Sequence, residues 1–318
     1  MDSAPRIAPL PPGARRCRWS VMIPVYNCSR YLTEALKSVL HQDLGPEEMQ
    51  IAVVDNCSSD DPEAVVKRLR DGRVEFFRQK ANIGMVGNFN SCIEHARGAL
   101  VHILHADDYV EEGFYRRLDA LERDNPDAGL LAARSYIIDE SGQKRGTSPR
   151  ASFLESLTRE PGDLLYRNYF FAPGVVVKRD FYEKFGGYLP TLSFVPDWEM
   201  WLRAISRAGG VALSEPLACY RQHHNNLTSA FIKKAENVLD SLRLGEITSR
   251  QFQAFDSAAF RASCAMTARA QCTSLLRSGD LMGAWCNARA LFAALDCPAG
   301  IYLIKKAVSR FNKRIREC

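Results

Sequence analysis

Three phosphate- and acyl-handling signatures are missing from this chain. No Gly-x-Gly-x-x-Gly follows the first apolar run, which disfavours a dinucleotide-binding Rossmann site. No Gly-x-x-x-x-Gly-Lys-Ser/Thr occurs, so a P-loop is absent, and the lack of Gly-x-Ser-x-Gly weakens an esterase assignment. The ten cysteines include no Cys-x-x-Cys pair, which argues against a zinc ribbon or a thioredoxin motif. Several sit in apolar surroundings, as reduced, buried thiols of a cytosolic protein do. No apolar run reaches the roughly 18 residues a membrane span needs. The Pro- and Arg-rich start (Pro5, Pro9, Pro11, Pro12, Arg15, Arg16) has no apolar core for a signal peptide. A formal net charge of +5 is too small an excess to argue for nucleic acid, though it suits an anionic substrate or a membrane surface.

What is present is an ordinary globular composition, 46% apolar and 25% charged over 318 residues. That is enough chain for one large α/β domain with an appendage, or two ordinary domains. After a lead-in that reads as flexible, the run Trp19–Asn27 predicts a short apolar strand ending in a turn, with Pro24 at the strand's C-terminal end where a lost N–H matters least. Ser29 is placed to cap a helix whose Leu32, Ala35, Leu36, Val39 and Leu40 fall at helical spacing. Met49–Val54 predicts a second strand, and Pro62 opens a second helix. Val74–Phe77 is a third strand, and a helix through Cys92, Ile93 and Ala96 is closed by Gly98. Val101–Leu104 is a fourth strand, followed by a helix over about 111–123. This alternation is the rhythm of a mostly parallel, doubly wound α/β sheet.

Beyond Arg123 the rhythm breaks. Leu130–Ile138 predicts a strand with a hairpin turn at Glu140–Gln143, and Gly174–Lys178 another. Trp198–Ala208 predicts an amphipathic helix with Trp198 and Trp201 in the core, and Val211–Tyr220 a last strand. From about 231 the pattern is helical. It ends in a tail, 301–318, whose Lys305, Lys306, Arg310, Lys313, Arg314 and Arg316 lie among Ile301, Leu303, Ile304, Val308, Phe311 and Ile315. Such a basic amphipathic helix packs on its own domain or rests on an anionic membrane.

Each early strand ends on a polar cluster: Pro24-Val25-Tyr26-Asn27, then Asp55-Asn56-Cys57-Ser58-Ser59-Asp60, then Asn82-Ile83-Gly84 with Asn88, then Asp107-Asp108. In a parallel sheet these ends share one edge, where ligands sit. Asp55 is an acceptor suited to a base N–H or a ribose hydroxyl. Gly84 permits close backbone approach, and Asp107 and Asp108 offer hard oxygen ligands for a divalent cation carrying a phosphate. Any one cluster is more often a capped loop; four in succession point to a nucleotide site.

The segments "VMIPVYNCSRYLTEALKSVLHQ", "IAVVDNCSSDD", "ANIGMVGNFNSCIEHARGALVHILHADDYV", "PDWEMWLRA" and "YRQHHNNLTS" together resemble the family 2 glycosyltransferases, inverting enzymes of GT-A fold. The resemblance covers roughly residues 19–229. It implies that Pro24, Tyr26, Asn27 and Asp55 surround the nucleotide base, and that Asn82, Gly84 and Asn88 line the nucleotide pocket. Asp107 matches the last carboxylate of the metal motif that holds Mn²⁺ or Mg²⁺ against the diphosphate, with Asp108 close enough to share the role. The first acidic position of that motif is here His105, a departure from the family pattern. Asp197 matches the catalytic base, although Pro196-Asp197 stands where the family commonly has Glu-Asp; an N-cap role is compatible with it. His223 matches a late histidine near the diphosphate, as a third metal ligand or a lid residue, and Arg221 is placed to pair with a phosphate.

The expected organisation is therefore a flexible lead-in over 1–17 and a GT-A domain over 18–230, its nucleotide-binding half at 18–125 and its acceptor half at 126–230. A helical extension follows over 231–318. The implied partners are a nucleoside-diphosphate sugar donor and a glycan or lipid-linked acceptor, with no nucleic acid. The implied location is cytoplasmic, with peripheral contact at the inner face of the cell membrane through the tail. Two other functions are weighed against this one. A sugar-phosphate nucleotidyltransferase would carry a Gly-rich basic loop after the first strand, and "PVYNCSRYL" is not one. A non-catalytic sugar-nucleotide-binding subunit has no need of both Asp107 and Asp197.

Overall fold

The computed structural model describes residues 4–14, 16–69, 72–223 and 227–296. Within them the chain divides into two compact units. One comprises the residues up to Thr191 together with Pro196–His223; the other comprises Leu192–Val195 and the chain after 223. The basic tail lies outside the described residues.

The first unit is built on one nine-stranded sheet. β1 (Trp19–Val25), β2 (Met49–Asp55), β3 (Val74–Arg78) and β4 (Leu100–Ile103) pair in parallel in the order β3-β2-β1-β4. Every residue of β1, β2 and β4 is buried, which is why they read as continuous apolar runs rather than as alternating ones. The helices that join them are α1 (Ser29–Leu40), α2 (Pro62–Arg68) and α3 (Gly84–His95). α1 turns Leu32, Ala35, Leu36 and Val39 into the core at one-face spacing. After β4 come the two-residue β5 (Tyr109–Val110) and α4 (Phe114–Asp124).

Past α4 the sheet becomes mixed. β6 (Leu130–Ile138) forms a hairpin with β7 (Lys144–Thr147), and β8 (Val175–Lys178) runs antiparallel to both β4 and β6. β9 (Gly210–Arg221) lies parallel to β6 and antiparallel to β5, so the long β9 brings its C-terminal end back beside the turn that follows β4. α5 (Arg179–Phe185) and α6 (Pro196–Ala208) complete the unit.

Local details depart from the sequence expectations in three places. α1 is not capped by the Ser29 side chain; Cys28 occupies the cap, and the Ser29 N–H donates to Asp60 Oδ2 at 2.7 Å. Gly98 does not close α3, which ends at His95. A Cβ at Gly98 would lie 2.3 Å from the Trp19 carbonyl carbon, so glycine is needed because the chain crosses directly over β1. The described part of the lead-in is docked rather than free: Ile7 is buried, Pro5 O accepts from Gly187 N at 2.9 Å, and Ala8 O accepts from Arg179 Nη2 at 3.2 Å. Its Pro-rich composition resembles a linker, but one large aliphatic side chain and two carbonyl acceptors hold it in place.

Pro24 lies inside β1, paired with Val54 of β2. Met22 O, two residues earlier, still accepts from Leu104 N, but β4 ends at Ile103. Alternate residues of a strand face the same neighbour, so the missing Pro24 N–H points where no strand needs it.

The second unit contains α7 (Leu227–Lys234), α8 (Glu236–Gln251), α9 (Ser257–Arg277) and α10 (Leu281–Ala294). Asp256 caps α9 by accepting from Ala258 N and Ala259 N, and Asp280 caps α10 by accepting from Gly283 N. Among the described residues no helix is long and apolar enough to cross a membrane.

Candidate sugar-nucleotide and metal site

The polar clusters that end the first strands form two connected groups. The first lies after β1, β2 and β3. Asn27 adopts a left-handed conformation (φ 50°), and its Oδ1 accepts from Ser59 N at 2.8 Å while its own N–H donates to Ser58 Oγ. Asp55 is fully buried; Oδ1 accepts from Ser58 N at 2.9 Å and Oδ2 faces Arg78 Nη1 at 3.1 Å. The Asp55 carboxylate thus braces the loop that carries Asn56 and Ser58, beneath the surface where a base was expected to meet it. Asn56, present in the sequence cluster but given no role there, ties two strand ends together. Its Nδ2 donates to Asn82 Oδ1 at 3.0 Å and Gly84 O at 3.2 Å, and its Oδ1 accepts from Ile83 N at 2.9 Å.

Asn82 Oδ1 also accepts from Gly84 N, and Gly84 (φ 78°) opens α3 with nothing within 4 Å of the place a Cβ would take. That leaves room for a ligand against the backbone. Asn88 points the other way: it is buried and its Nδ2 donates to Val54 O, holding α3 to β2. Pro24 is buried inside β1, while Tyr26 stands about half exposed beside Asn27.

The second group follows β4. One potential ligand atom each from His105, Asp107 and Asp108 lies within 4.8 Å of the others. His223, just past β9, brings Nε2 to 3.0 Å from Asp107 Oδ2. The two carboxylates differ in environment. Burial acts to raise Asp107, but the His223 contact and the His105 charge outweigh it and hold that carboxyl below its ordinary range. Burial, and then the Asp107 charge, push Asp108 well above that range. Asp108 Oδ1 accepts from Arg221 N at 2.8 Å, whereas Oδ2 is buried with no hydrogen-bond partner, 3.8 Å from His105 Nδ1. A buried oxygen without a donor, among imidazole and carboxylate groups, fits a divalent cation by the chemistry of the set.

Arg221, expected to meet a phosphate, is instead buried behind this group. Nε donates to Asp107 O at 2.8 Å, Nη1 to Asp139 O and Glu140 O at 3.2 Å each, and Nη2 to Glu34. The guanidinium also lies over Tyr31, 4.8 Å from the ring centroid, and Tyr31 packs 5.2 Å from the His223 ring. Arg221 therefore locks β9, α1 and the β6–β7 turn around the acidic turn. Glu34 and Tyr31 could not be picked out from sequence, because only the fold brings α1 beside the end of β9.

Asp197 stands in the first turn of α6, which starts at Pro196, one residue before the cap position expected from sequence. Half-buried, it accepts from Trp198 N at 2.7 Å through Oδ1, while Trp198 Nε1 donates to Leu164 O. Burial, Tyr182 and then the charge of Asp197 drive the Tyr188 phenol well up. Tyr188 packs 5.5 Å from Phe89, which stacks on His105 at 5.1 Å. Asn90 of α3 makes a reciprocal pair with the Tyr188 backbone, at 2.7 and 3.0 Å. A run of rings thus leads from the His105 turn through Phe89 to Tyr188.

The family model described as glycosyl transferase family 2 matches residues 20–184. The chain belongs to that family. Like other members it is a nucleotide-sugar-dependent glycosyltransferase, and its fold is of the GT-A type with C-terminal helices. This glycosyltransferase is 28% identical over 237 residues to an uncharacterised protein, MT1568, of Mycobacterium tuberculosis, covering 71% of this chain and 73% of that one. It is 32% identical over 97 residues to the poly(ribitol-phosphate) β-N-acetylglucosaminyltransferase TarS of Staphylococcus aureus, which is 30% of this chain but 17% of TarS. The structure of TarS 1–349 with UDP-GlcNAc superposes with a TM-score of 0.59 at 16% identity, covering 92% of both chains. The mannosyltransferase PcManGT of Pyrobaculum calidifontis, solved with GDP-Man and Mn²⁺, superposes with a TM-score of 0.56 at 16% identity, covering 99% of this chain and 85% of that one. At these identities the structural likeness is one of fold.

Proposed function

We propose that this glycosyltransferase moves a sugar from a nucleoside diphosphate to a hydroxyl of a glycan or lipid-linked acceptor, with inversion at the anomeric carbon. The observation that carries the proposal is the grouping of His105, Asp107, Asp108 and His223 beside the β4 end, with Asp108 Oδ2 buried and unpartnered. Asp107, Asp108 and His223 would hold a divalent cation, Mn²⁺ or Mg²⁺, with His105 contributing a nitrogen donor. When bound, such a cation neutralises negative charge on a departing diphosphate. The complexes of TarS with UDP-GlcNAc and of PcManGT with GDP-Man and Mn²⁺ support this use of the fold, and the name of TarS supports a polymeric hydroxyl acceptor.

The chain's own residues divide the work. The loops carrying Asn27, Asn56, Asn82 and Gly84 are cross-linked by hydrogen bonds, so a nucleotide meets a preorganised edge. Asp55 sets the shape of that edge from below. Asp197 accepts the proton of the acceptor hydroxyl as its oxygen attacks the anomeric carbon, and the bond to the diphosphate oxygen breaks on the opposite face. Arg221 keeps the acidic turn in register with β9. The tail offers peripheral contact with an anionic membrane, where a lipid-linked acceptor would lie.

Stereochemistry tests the reaction class. Proton NMR of the first product from an α-linked donor is expected to show a β linkage, with transfer stopped by chelation and restored by Mn²⁺. A product that retains the α configuration would overturn the single-displacement account.

A further inference from the structure

The helical unit contains a buried carboxylate that the chemistry above leaves unused. Asp240 of α8 is 1% exposed. Its Oδ2 accepts from Ser193 N at 2.9 Å, Phe194 N at 2.7 Å and Val195 N at 3.1 Å, while Oδ1 faces Arg243 at 3.2 Å. The side chains of Leu192 and Val195 are buried, and the Phe194 ring packs edge-on against Phe231 at 5.5 Å. These four residues, Leu192–Val195, belong to the helical unit, although the chain on both sides of them belongs to the sheet unit. The next two residues are Pro196 and Asp197.

We propose that Asp240 is a positioning residue for the general base, an inference that rests on the assignment of that role to Asp197. Three successive amides converging on one oxygen fix the path of the backbone. The acceptor is buried, and a single carboxylate oxygen satisfies all three amides at once. Pro196 follows with its φ set by the ring, so few free torsions separate the held segment from the Asp197 side chain. Loosening the segment displaces the carboxylate that must meet the acceptor hydroxyl, and a misplacement of about 1 Å costs on the order of 10²-fold in rate. The cation and nucleotide groups are built from other strand ends, so donor affinity is not tied to Asp240. The helical region thereby acquires a part in catalysis without touching substrate.

The test uses the full chain and four variants: Asp240→Ala, Asp240→Asn, Asp197→Asn and Thr248→Ala. Thr248 is another buried polar residue of α8, whose Oγ1 donates to Leu244 O, and it serves as a stability control. Amide hydrogen exchange needs no substrate. Asp240→Ala is expected to lose protection at 193–195 and also at Trp198 N, the amide that reports the Asp197 side chain. Thr248→Ala should leave these amides protected. UDP-GlcNAc and GDP-Man turnover with Mn²⁺ should fall about 10²-fold in kcat for Asp240→Ala, with donor KM unchanged. Asp240→Asn should fall less, because its carbonyl oxygen can still sit under the amides only by turning its NH₂ toward Arg243. Wild-type protection of Trp198 in Asp240→Ala overturns the proposal, as does wild-type kcat in that variant alongside an inactive Asp197→Asn. A fully active Asp197→Asn overturns the base assignment instead, and the exchange data then show separately whether Asp240 orders the start of α6.

Discussion

Replacing the buried imidazole of β4 is expected to flatten the acid limb of this protein's stability. His102 is fully buried, with Nδ1 3.2 Å from Tyr115 Oη and Nε2 3.0 Å from Pro173 O. A carbonyl only accepts, so Nε2 carries the hydrogen and Nδ1 accepts from the tyrosine hydroxyl. Burial drives the His102 pKa down to about 3, against the pull of the Pro173 carbonyl and helped by the charge of His105. In the unfolded chain the value is about 6.5. Between those two values the unfolded state binds a proton that the folded state refuses, so stability rises with pH through that window and is lost as pH falls below about 6.5. At about 1.4 kcal/mol per unit, the loss at pH 5 relative to pH 8 is about 2 kcal/mol from this residue alone. His102→Gln keeps a donor for Pro173 O and an acceptor for Tyr115 without titrating. It should cost about 1–2 kcal/mol at neutral pH through the lost ring packing on Phe114, and shrink the pH 5 to pH 8 difference by about 2 kcal/mol. Urea unfolding in a Trp285→Phe background, followed by the emission of Trp19, Trp198 and Trp201 of the sheet unit, measures this directly. Identical acid slopes for the two proteins would refute the reasoning.

Three further outcomes are expected. His105→Asp exchanges a nitrogen donor for a hard oxygen and should lower the Mg²⁺ concentration needed for half-maximal thermal stabilisation by UDP; an unchanged concentration would remove His105 from the cation group. Arg221→Lys cannot reproduce donors directed at Asp107 O, Asp139 O, Glu140 O and Glu34, and should destabilise the ligand-free protein by about 3 kcal/mol in urea unfolding. A change confined to donor affinity would instead make Arg221 a phosphate ligand. Gly98→Ala drives a methyl group into the Trp19 backbone, and a loss of about 1–3 kcal/mol or more is expected in the same assay, whereas a neutral effect would mean the crossing over β1 can widen.

Much of the fold was legible because its first half is parallel. Strands buried on both faces read as apolar runs, each ends on a polar cluster, and Pro62 marks a helix start that Asp61 caps through Ala64 N. Sequence pattern reports periodicity and chain order, and both survive into a βα repeat. It does not report which way a polar side chain turns at a strand end. Asp55 and Asn88 share the positional signature of Asn27 and Gly84, yet the first two hydrogen-bond inward to Ser58 N and Val54 O. Arg221 looks like a phosphate ligand in a polar segment until the β9 register sets it against Asp107 and Asp108. The hold of Asp240 on 193–195 spans about 45 residues and two kinds of secondary structure, with no spacing rule to betray it. The mixed pairing around β8 was hidden for a similar reason, since strand order is decided by which edges are left to cover.

The central claim is that Asp197 removes the acceptor proton at a site where the donor is held by other residues. Asp197→Asn keeps the size of the side chain and an oxygen for Trp198 N, but it is not a base. The decisive measurement is the transfer rate of this variant beside its affinity for UDP with Mn²⁺. The account predicts transfer reduced by at least about 10²-fold with UDP affinity unchanged. Transfer at the wild-type rate would contradict it.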